Sequence, residues 1–463
     1  MKKNQLILYS ILLWGAFLAF HTASDGYLHE WDECYHALVA KHMIQYPFQP
    51  MLYLDPVIDY DYREWCCNHI WVHKQPLPLW LMAGSMSVFG VNEIALRLPS
   101  VLIFLIGIVL TFELSQRLFT ECIGLWAAFF HASHGLILEL TGGRVATDHY
   151  DVFFLFFVEL GVYFGVLFIQ KKRNYWIVLS GLAMGAGILV KWLPALIIMP
   201  ILFLLATSEK MKLKERFYII GILALTSFFV ASPWQFYIHQ QFPLESAWEA
   251  QFNLKHIFEA LEGHAHPWWF HFGNLSRLYG AFIYPVLLFF IFETYQKRSF
   301  KYFSLLVWII IPYLFFTFVK TKMQAYTLFC APAIFLIYGY TLEKLYAHLA
   351  SAKLKLIKHT LRLCMLLMTI LPLLYTIERT KIFQSIDRHP TWVQQIQQFE
   401  KTLPNGDRPW IVILGAEHPI ETMFYVDRSS AYGYLPNQQK VDQILEKGYW
   451  VYQETSNGYQ RIK

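Results

Sequence analysis

Long apolar runs broken by short polar turns recur along most of the chain. Most of the runs are about 17–22 residues, the length a helix needs to cross roughly 30 Å of hydrocarbon. They predict spanning helices over 5–20, 99–117, 122–140, 151–170, 175–190, 193–207, 217–238, 275–293, 302–319, 325–342 and 363–377. The run PLPLWLMAGSMSVFG (Pro76–Gly90) is too short to span and reads as a helix lying at the interface. Counting it as a span would invert the side of everything after it. Two long connecting stretches, Phe20–Pro99 and His239–Asn274, interrupt the pattern. From Glu378 the apolar blocks stop. PWIVILGAEHPIETMFYVD reads as strand, turn and helix, and QQKVDQILEKGYWVYQE as helix then strand. The expected architecture is an all-α polytopic membrane protein of about eleven transmembrane helices over 1–377, followed by a small α/β module over 378–463.

Charge adds an orientation. Lys and Arg cluster in MKK, QRLFTE, QKKRNY, TSEKMKLKER, YQKRSFK and EKLYAHLASAKLKLIKHTLR, whereas the alternate loops carry acids, histidines and single basic residues. The positive-inside rule then puts the N-terminus in the cytoplasm and both long loops and the C-terminus outside. The start MKKNQLILYSILLWGAFLAF resembles a signal peptide but has no small-residue cleavage site before the acids that follow, so it reads as an uncleaved first helix. The composition agrees: of 463 residues, 56% are hydrophobic and only 15% charged, below the quarter typical of soluble domains. The net charge of +5 reflects topology rather than nucleic-acid binding. The six cysteines form no CxxC pair, and Cys66 and Cys67 are adjacent. A zinc ribbon or redox motif is not expected, and all six read as structural or incidental.

On this topology the unusual polar residues share the outer face. Ionisable groups at membrane depth are costly and usually mark function. YLHEWDECYHALVAKHM (Tyr27–Met43) places Asp32 and Glu33 where a helix begins, so Asp32 is either a helix cap or a catalytic carboxylate that takes a proton. His73 and Lys74 precede the interfacial helix, where a lysine also has reason to snorkel and a histidine to pack. Arg144 and Asp148 lie in TGGRVATDHYDVFF, suited either to a polar headgroup or to mutual pairing. Lys191 in GILVKWLP has almost no loop to solvate it and needs an anion, either a lipid phosphate or an internal carboxylate. Lys322 in VKTKMQAYTLFCAP is in the same position. EGHAHPWWFHFGN carries His264 and His266, and an HxH pair is a weak metal signal. Together these cations and carboxylates suit transfer of a group carried on a phosphorylated lipid.

The ordered motifs give a resemblance. Asp32-Glu33-Cys34-Tyr35, Lys74-Gln75-Pro76, Phe89-Gly90 with Glu93, Arg97-Leu98-Pro99-Ser100, Arg144 with Ala146 and Asp148, Val190-Lys191-Trp192-Leu193-Pro194, His264-Ala265-His266-Pro267-Trp268-Trp269, and Thr321-Lys322 with Tyr326 follow one another over about residues 5–340. In this the chain resembles the C-type (GT-C) membrane glycosyltransferases, the family of the protein O-mannosyltransferases and the lipid A aminoarabinose transferase. The resemblance implies a polyprenyl-phosphate sugar donor and an inverting transfer outside the cytoplasm, in the plasma (inner) membrane. It implies that Asp32 is the catalytic general base, with Glu33 beside it as the second catalytic candidate. Lys74, Arg144, Asp148, Lys191, Lys322 and Tyr326 are the implied substrate-binding residues. His73 and His264 occupy the positions of a divalent-metal site (Zn, Mg or Mn). The departures are His73 for a family Glu, Gln75 for a Pro, and Trp192-Leu193 for the Gly of T-K-G-P; they bear on donor and metal more than on reaction class.

The active site is expected in outer loops 21–98 and 239–274. The acceptor classes are a glycolipid such as lipid A, a polymer or a protein, with membrane lipid as the surrounding partner and no nucleic acid. A transporter or flippase of polyprenyl-linked sugars, or a non-catalytic envelope assembly protein, is the competing reading. A transporter needs charges along a path across the bilayer, and the spans are nearly uncharged except for Glu159.

Overall fold

The computed structural model describes residues 3–144, 149–404, 408–456 and 458–462. Asp148 lies outside the described residues. Two compact units emerge. The first comprises Met1–Ala23, Ser100–Tyr237 and Ala250–Ser385, and the second Ser24–Pro99, Ile238–Glu249 and Ile386–Lys463.

The first unit is helical. Among the described residues eight helices are long and apolar enough to cross a membrane: Lys3–Ala23, Glu93–Leu118, Tyr150–Lys171, Asn174–Lys191, Leu213–Gln241, Phe300–Phe318, Gln324–Ser351 and Lys355–Thr380. Two bent pairs, Glu121–Ala132 with Gly135–Thr141 (54°) and Phe270–Tyr279 with Ile283–Lys297 (103°), raise the count to ten. The eleventh expected span is the shorter helical stretch Leu193–Ser208, which begins as a 3-10 turn over Leu193–Ile197. At the usual rises this stretch reaches about 26 Å.

Leu193–Ser208 and Pro76–Phe89 both fall short of the eight full-length spans, so the structure gives eight to ten helices of spanning length and composition among the described residues.

Glycines let these helices approach one another. A Cβ on Gly165 would meet Leu202 Cδ1 at 2.2 Å, and one on Gly181 would meet Thr226 Oγ1 at 1.6 Å. Gly161 and Gly165, and Gly181 and Gly185, are each four residues apart, the small-residue spacing that brings membrane helices into close contact. Glu159, the one acid inside a span that the sequence leaves unexplained, accepts a hydrogen bond from Thr111 Oγ1 at 2.7 Å. That hydroxyl lies 2.7 Å from His131 Nδ1. With Thr111 donating to Glu159, His131 Nδ1–H is the donor to Thr111. The carboxyl is thus tied into a local helix–helix network.

The second unit holds the first long loop, with helices Asp32–Met43 and Pro76–Phe89, and the tail. Pro76 opens its helix at N1, where a missing N–H costs nothing. The tail forms a four-stranded sheet of β1 (Ile411–Leu414), β2 (Ser429–Tyr432), β3 (Trp450–Thr455) and β4 (Gly458–Ile462), in the order β2-β1-β3-β4. β1 pairs in parallel with β2 and β3, and β4 closes the edge antiparallel to β3. β1 and β2 are buried at every position, as the core strands of a parallel sheet are.

Loop and tail are packed together. Lys41 Nζ donates to the carbonyls of Met423 and Phe424 and pairs with Asp427 at 2.8 Å. Tyr53 Oη donates to the carbonyl of Ala431, and Ser430 Oγ to that of Asp55. Tyr425 Oη donates to Glu93 at 2.6 Å and accepts from the Leu28 N–H.

Candidate functional site

In the second unit Asp32 is the first residue of its helix, not the cap. Trp31 holds the cap position and makes no side-chain cap bond. Its φ of 69° and ψ of −129° lie close to a region that only glycine visits freely. The Asp32 carboxylate is 18% exposed and among the described residues makes one ion pair, to Lys74 Nζ at 3.3 Å. Asp32 is thus not the helix cap, and its carboxylate lies beside a lysine.

Glu33, one residue on, is fully buried. Arg97 Nε donates to its Oε1 at 2.7 Å, and Arg97 Nη2 to its Oε2 at 2.9 Å. The His29 N–H and Nδ1 reach Oε2 at 2.7 and 2.6 Å. Arg97 also donates to the carbonyls of Asp25 and Tyr27, and Asp25 pairs with Arg388. Burial disfavours the charged imidazole of His29, but Glu33 and Asp25 outweigh it and hold its pKa above the ordinary histidine value. The Glu33 carboxylate is thus held in a buried network at the helix start that carries Asp32. Arg97 is a motif residue to which the sequence reading gave no role.

His73 Nδ1 lies 3.1 Å from Glu249 Oε2, and its ring stacks on Trp65 at 5.5 Å. Glu249 carries no sequence signal for this contact, since it sits within the polar helix Pro243–Phe258.

In the first unit Lys191 ends its helix, and its Nζ pairs with buried Asp151 and lies 5.2 Å from the centre of the Tyr326 ring. The anion that Lys191 requires is thus an internal carboxylate. Asp151, in the first turn of Tyr150–Lys171, was readable as an acid opening a buried helix. Trp192, directly after Lys191, has φ 63° and ψ −151°, again glycine territory. The position that departs from the family glycine thus holds an indole on a left-handed backbone.

Lys322 is only 3% exposed. Its Nζ donates to the Val319 carbonyl and has no carboxylate beside it among the described residues. Burial, and then Lys320, lower its pKa. The Lys322 N–H donates to the His264 carbonyl at 3.1 Å, and Ala265 bridges Thr321, so the histidine loop is laced onto this lysine segment. Arg144 donates to the carbonyls of Thr380 and His21, tying helix ends together.

No group of three metal-donor side chains includes His73 or His264 among the described residues. The structure thus gathers Asp32, Glu33, Lys74 and His73 in one unit. Lys191, Tyr326, Lys322 and His264 lie in the other, with Arg144 committed to its backbone contacts.

Residues 73–237 match a family model described as dolichyl-phosphate-mannose-protein mannosyltransferase. The chain is 29% identical to an uncharacterized protein of Aquifex aeolicus over 73% of this chain and 63% of that one. Two undecaprenyl phosphate-alpha-4-amino-4-deoxy-L-arabinose arabinosyl transferases of Pseudomonas fluorescens are 28% and 26% identical, over 57% and 83% of this chain and 47% and 72% of theirs. The chain thus spans under two thirds of the first two of these relatives. Among solved structures, ArnT from Cupriavidus metallidurans bound to undecaprenyl phosphate superposes with a TM-score of 0.68 at 13% identity, covering 98% of this chain and 93% of that one. The Archaeoglobus fulgidus oligosaccharyltransferase in complex with Zn and sulfate does so at 0.56 and 13%, covering 96% and 68%.

Proposed function

This chain has the GT-C fold of the membrane glycosyltransferases, and from that we propose that it transfers a sugar from a polyprenyl-phosphate donor to an acceptor hydroxyl, inverting the anomeric carbon. The observation that carries this is the split between Asp32 and Glu33. Neighbouring acids have opposite fates: one is locked in a buried network, and the other is left accessible beside a single lysine. A general base needs such access.

In the proposed step Asp32 takes the acceptor's O–H proton as the oxygen bonds to the anomeric carbon. The bond from that carbon to the phosphate oxygen breaks, and its electron pair leaves with the lipid phosphate. That leaving group needs no proton, only cations in a site with little water. Lys322, a buried ammonium with no carboxylate beside it among the described residues, suits the phosphate best. Lys191 is balanced by Asp151, so it contributes a polarised pair with Tyr326 rather than a full positive charge. Lys74 orients Asp32. Arg144, which donates to the Thr380 and His21 carbonyls, and Asp148 are assigned to the donor headgroup.

The reading assigns the transfer domain to 1–377, its active site to loops 21–98 and 239–274, and an accompanying module to 378–463. It places the protein in a plasma (inner) membrane, N-terminus inside and C-terminus outside, supported by the Lys/Arg distribution. The acceptor is a lipid such as lipid A, a polymer or a protein. A divalent ion at His73 and His264 has only the His73–Glu249 pair in its favour, too few donors for a closed site, and no step is routed through it.

The test is turnover of radiolabelled polyprenyl-phosphate sugars by purified protein, wild type against Asp32→Asn. One donor consumed by the wild type and spared by the variant supports the reading. Equal turnover in both removes Asp32 from the chemistry.

A further inference from the structure

The first long loop carries a tight turn that the transfer chemistry does not use. The Glu64 N–H bonds to the Asp61 carbonyl, and the Cys67 N–H to the Glu64 carbonyl. This folding turns the thiols of Cys66 and Cys67 to the same side, with their sulfurs 3.0 Å apart. Donor atoms of Glu64, Cys66 and Cys67 all lie within 4.8 Å of one another, and among the described residues no other three metal-donor side chains gather this closely. All three reach solvent at least in part. We propose that this turn is a metal site for zinc(II).

The donor set argues for the ion. Two thiolates and one carboxylate suit a borderline-soft divalent cation and disfavour magnesium or calcium, which take oxygen shells. With Zn–S bonds of about 2.3 Å, a tetrahedral ion holds its sulfurs roughly 3.8 Å apart, so binding needs the two to part by under ~1 Å. Zinc displaces the two thiol protons to solvent and is held by two S⁻ and one carboxylate oxygen, with water at the fourth position. The turn is anchored on its inner side. Trp65, between Glu64 and Cys66, packs on Tyr35 at 4.6 Å and on His73 at 5.5 Å, and its carbonyl accepts from Trp71 Nε1 at 2.8 Å. The ion would therefore stiffen a turn whose tryptophan braces His73, the neighbour of Lys74. The inference stands apart from the transfer reading, because its readout is bound metal rather than turnover.

The experiment loads reduced, purified full-length protein with zinc, desalts it, and measures zinc per chain, free thiols and intact mass. It compares wild type, Cys66→Ser, Cys67→Ser and His73→Ala, with thermal unfolding as a control for folding. The wild type should retain about one zinc and protect two thiols. Either serine variant should fall to background while unfolding normally, and His73→Ala should keep the ion. The proposal is overturned if wild type holds no more zinc than the serine variants, or if zinc follows His73 instead. A reduced chain that takes up no zinc but becomes two hydrogens lighter with a mild disulfide oxidant also overturns it, because the pair is then a vicinal disulfide.

Discussion

The acid region of the second unit and the lysine region of the first handle charge differently. Around Glu33 every charge is answered: Arg97 with two bonds, His29 with two more, and Asp25 with Arg388. Around the lysines compensation is incomplete. Lys191 has Asp151, whereas Lys322 is buried against a backbone carbonyl with no acid at hand among the described residues. A fully answered network makes a scaffold. An incompletely answered one makes a binding site, because the missing counter-charge is what a ligand supplies. Asp32, with its one contact to Lys74, stands on the binding side of this contrast although it adjoins the scaffold.

The contrast is most exposed at the adjacent acids. Asp32→Asn should cut turnover by about 10²–10⁴-fold while leaving donor binding and thermal unfolding nearly unchanged. Glu33→Gln should instead lower stability. The larger stability loss belongs to Arg97→Met, which leaves Glu33 buried without its partner and should cost about 3–5 kcal/mol, read as loss of folded protein in detergent. If Arg97→Met unfolds no earlier than wild type, the scaffold half of the comparison fails.

The lysines sharpen it next. Lys322→Met should weaken binding of a polyprenyl phosphate by roughly 10–100-fold, the worth of a charged hydrogen bond. It should not destabilise the chain, because it removes a desolvated ammonium. Lys191→Met should destabilise, because it strands Asp151. Equal stability of the two variants would erase the distinction between paired and unpaired lysine.

Two smaller effects probe the backbone and pH. Trp192→Gly should raise stability by about 1 kcal/mol by relieving the left-handed strain, measured as a higher Tm. His29 has a raised pKa in the folded chain, so its charged form contributes stability that is fully present below about 6.5. That contribution fades as pH climbs through the raised value. The pH dependence of Tm above 6.5 should flatten in His29→Gln; an unchanged slope would assign it to other groups.

Much of this was legible beforehand because its causes are local. Apolar runs near bilayer length announce helices, and every expected span is helical. The interfacial reading of Pro76–Gly90 followed from length alone, and the structure gives a 14-residue helix there. Asp32 and Lys74 were both in view as motif residues. Their pairing was not, because 42 positions separate them and nothing in either neighbourhood encodes the distance. Asp151 was not singled out, and 40 positions separate it from its partner Lys191. Glu249 gave no signal for His73.

The sequence by itself determined what a short window of chain can carry: the apolar periodicity, the polar residues at helix ends, the order of the motifs and the α/β character of the tail. Tertiary structure decided what depends on long-range closure. It packed the tail against the first loop through Lys41, Tyr53 and Tyr425. It also separated the roles of Asp32 and Glu33. Adjacent side chains on a helix point in different directions, so burial and counter-charge are assigned by what the fold brings to each face, and that is not written in either residue.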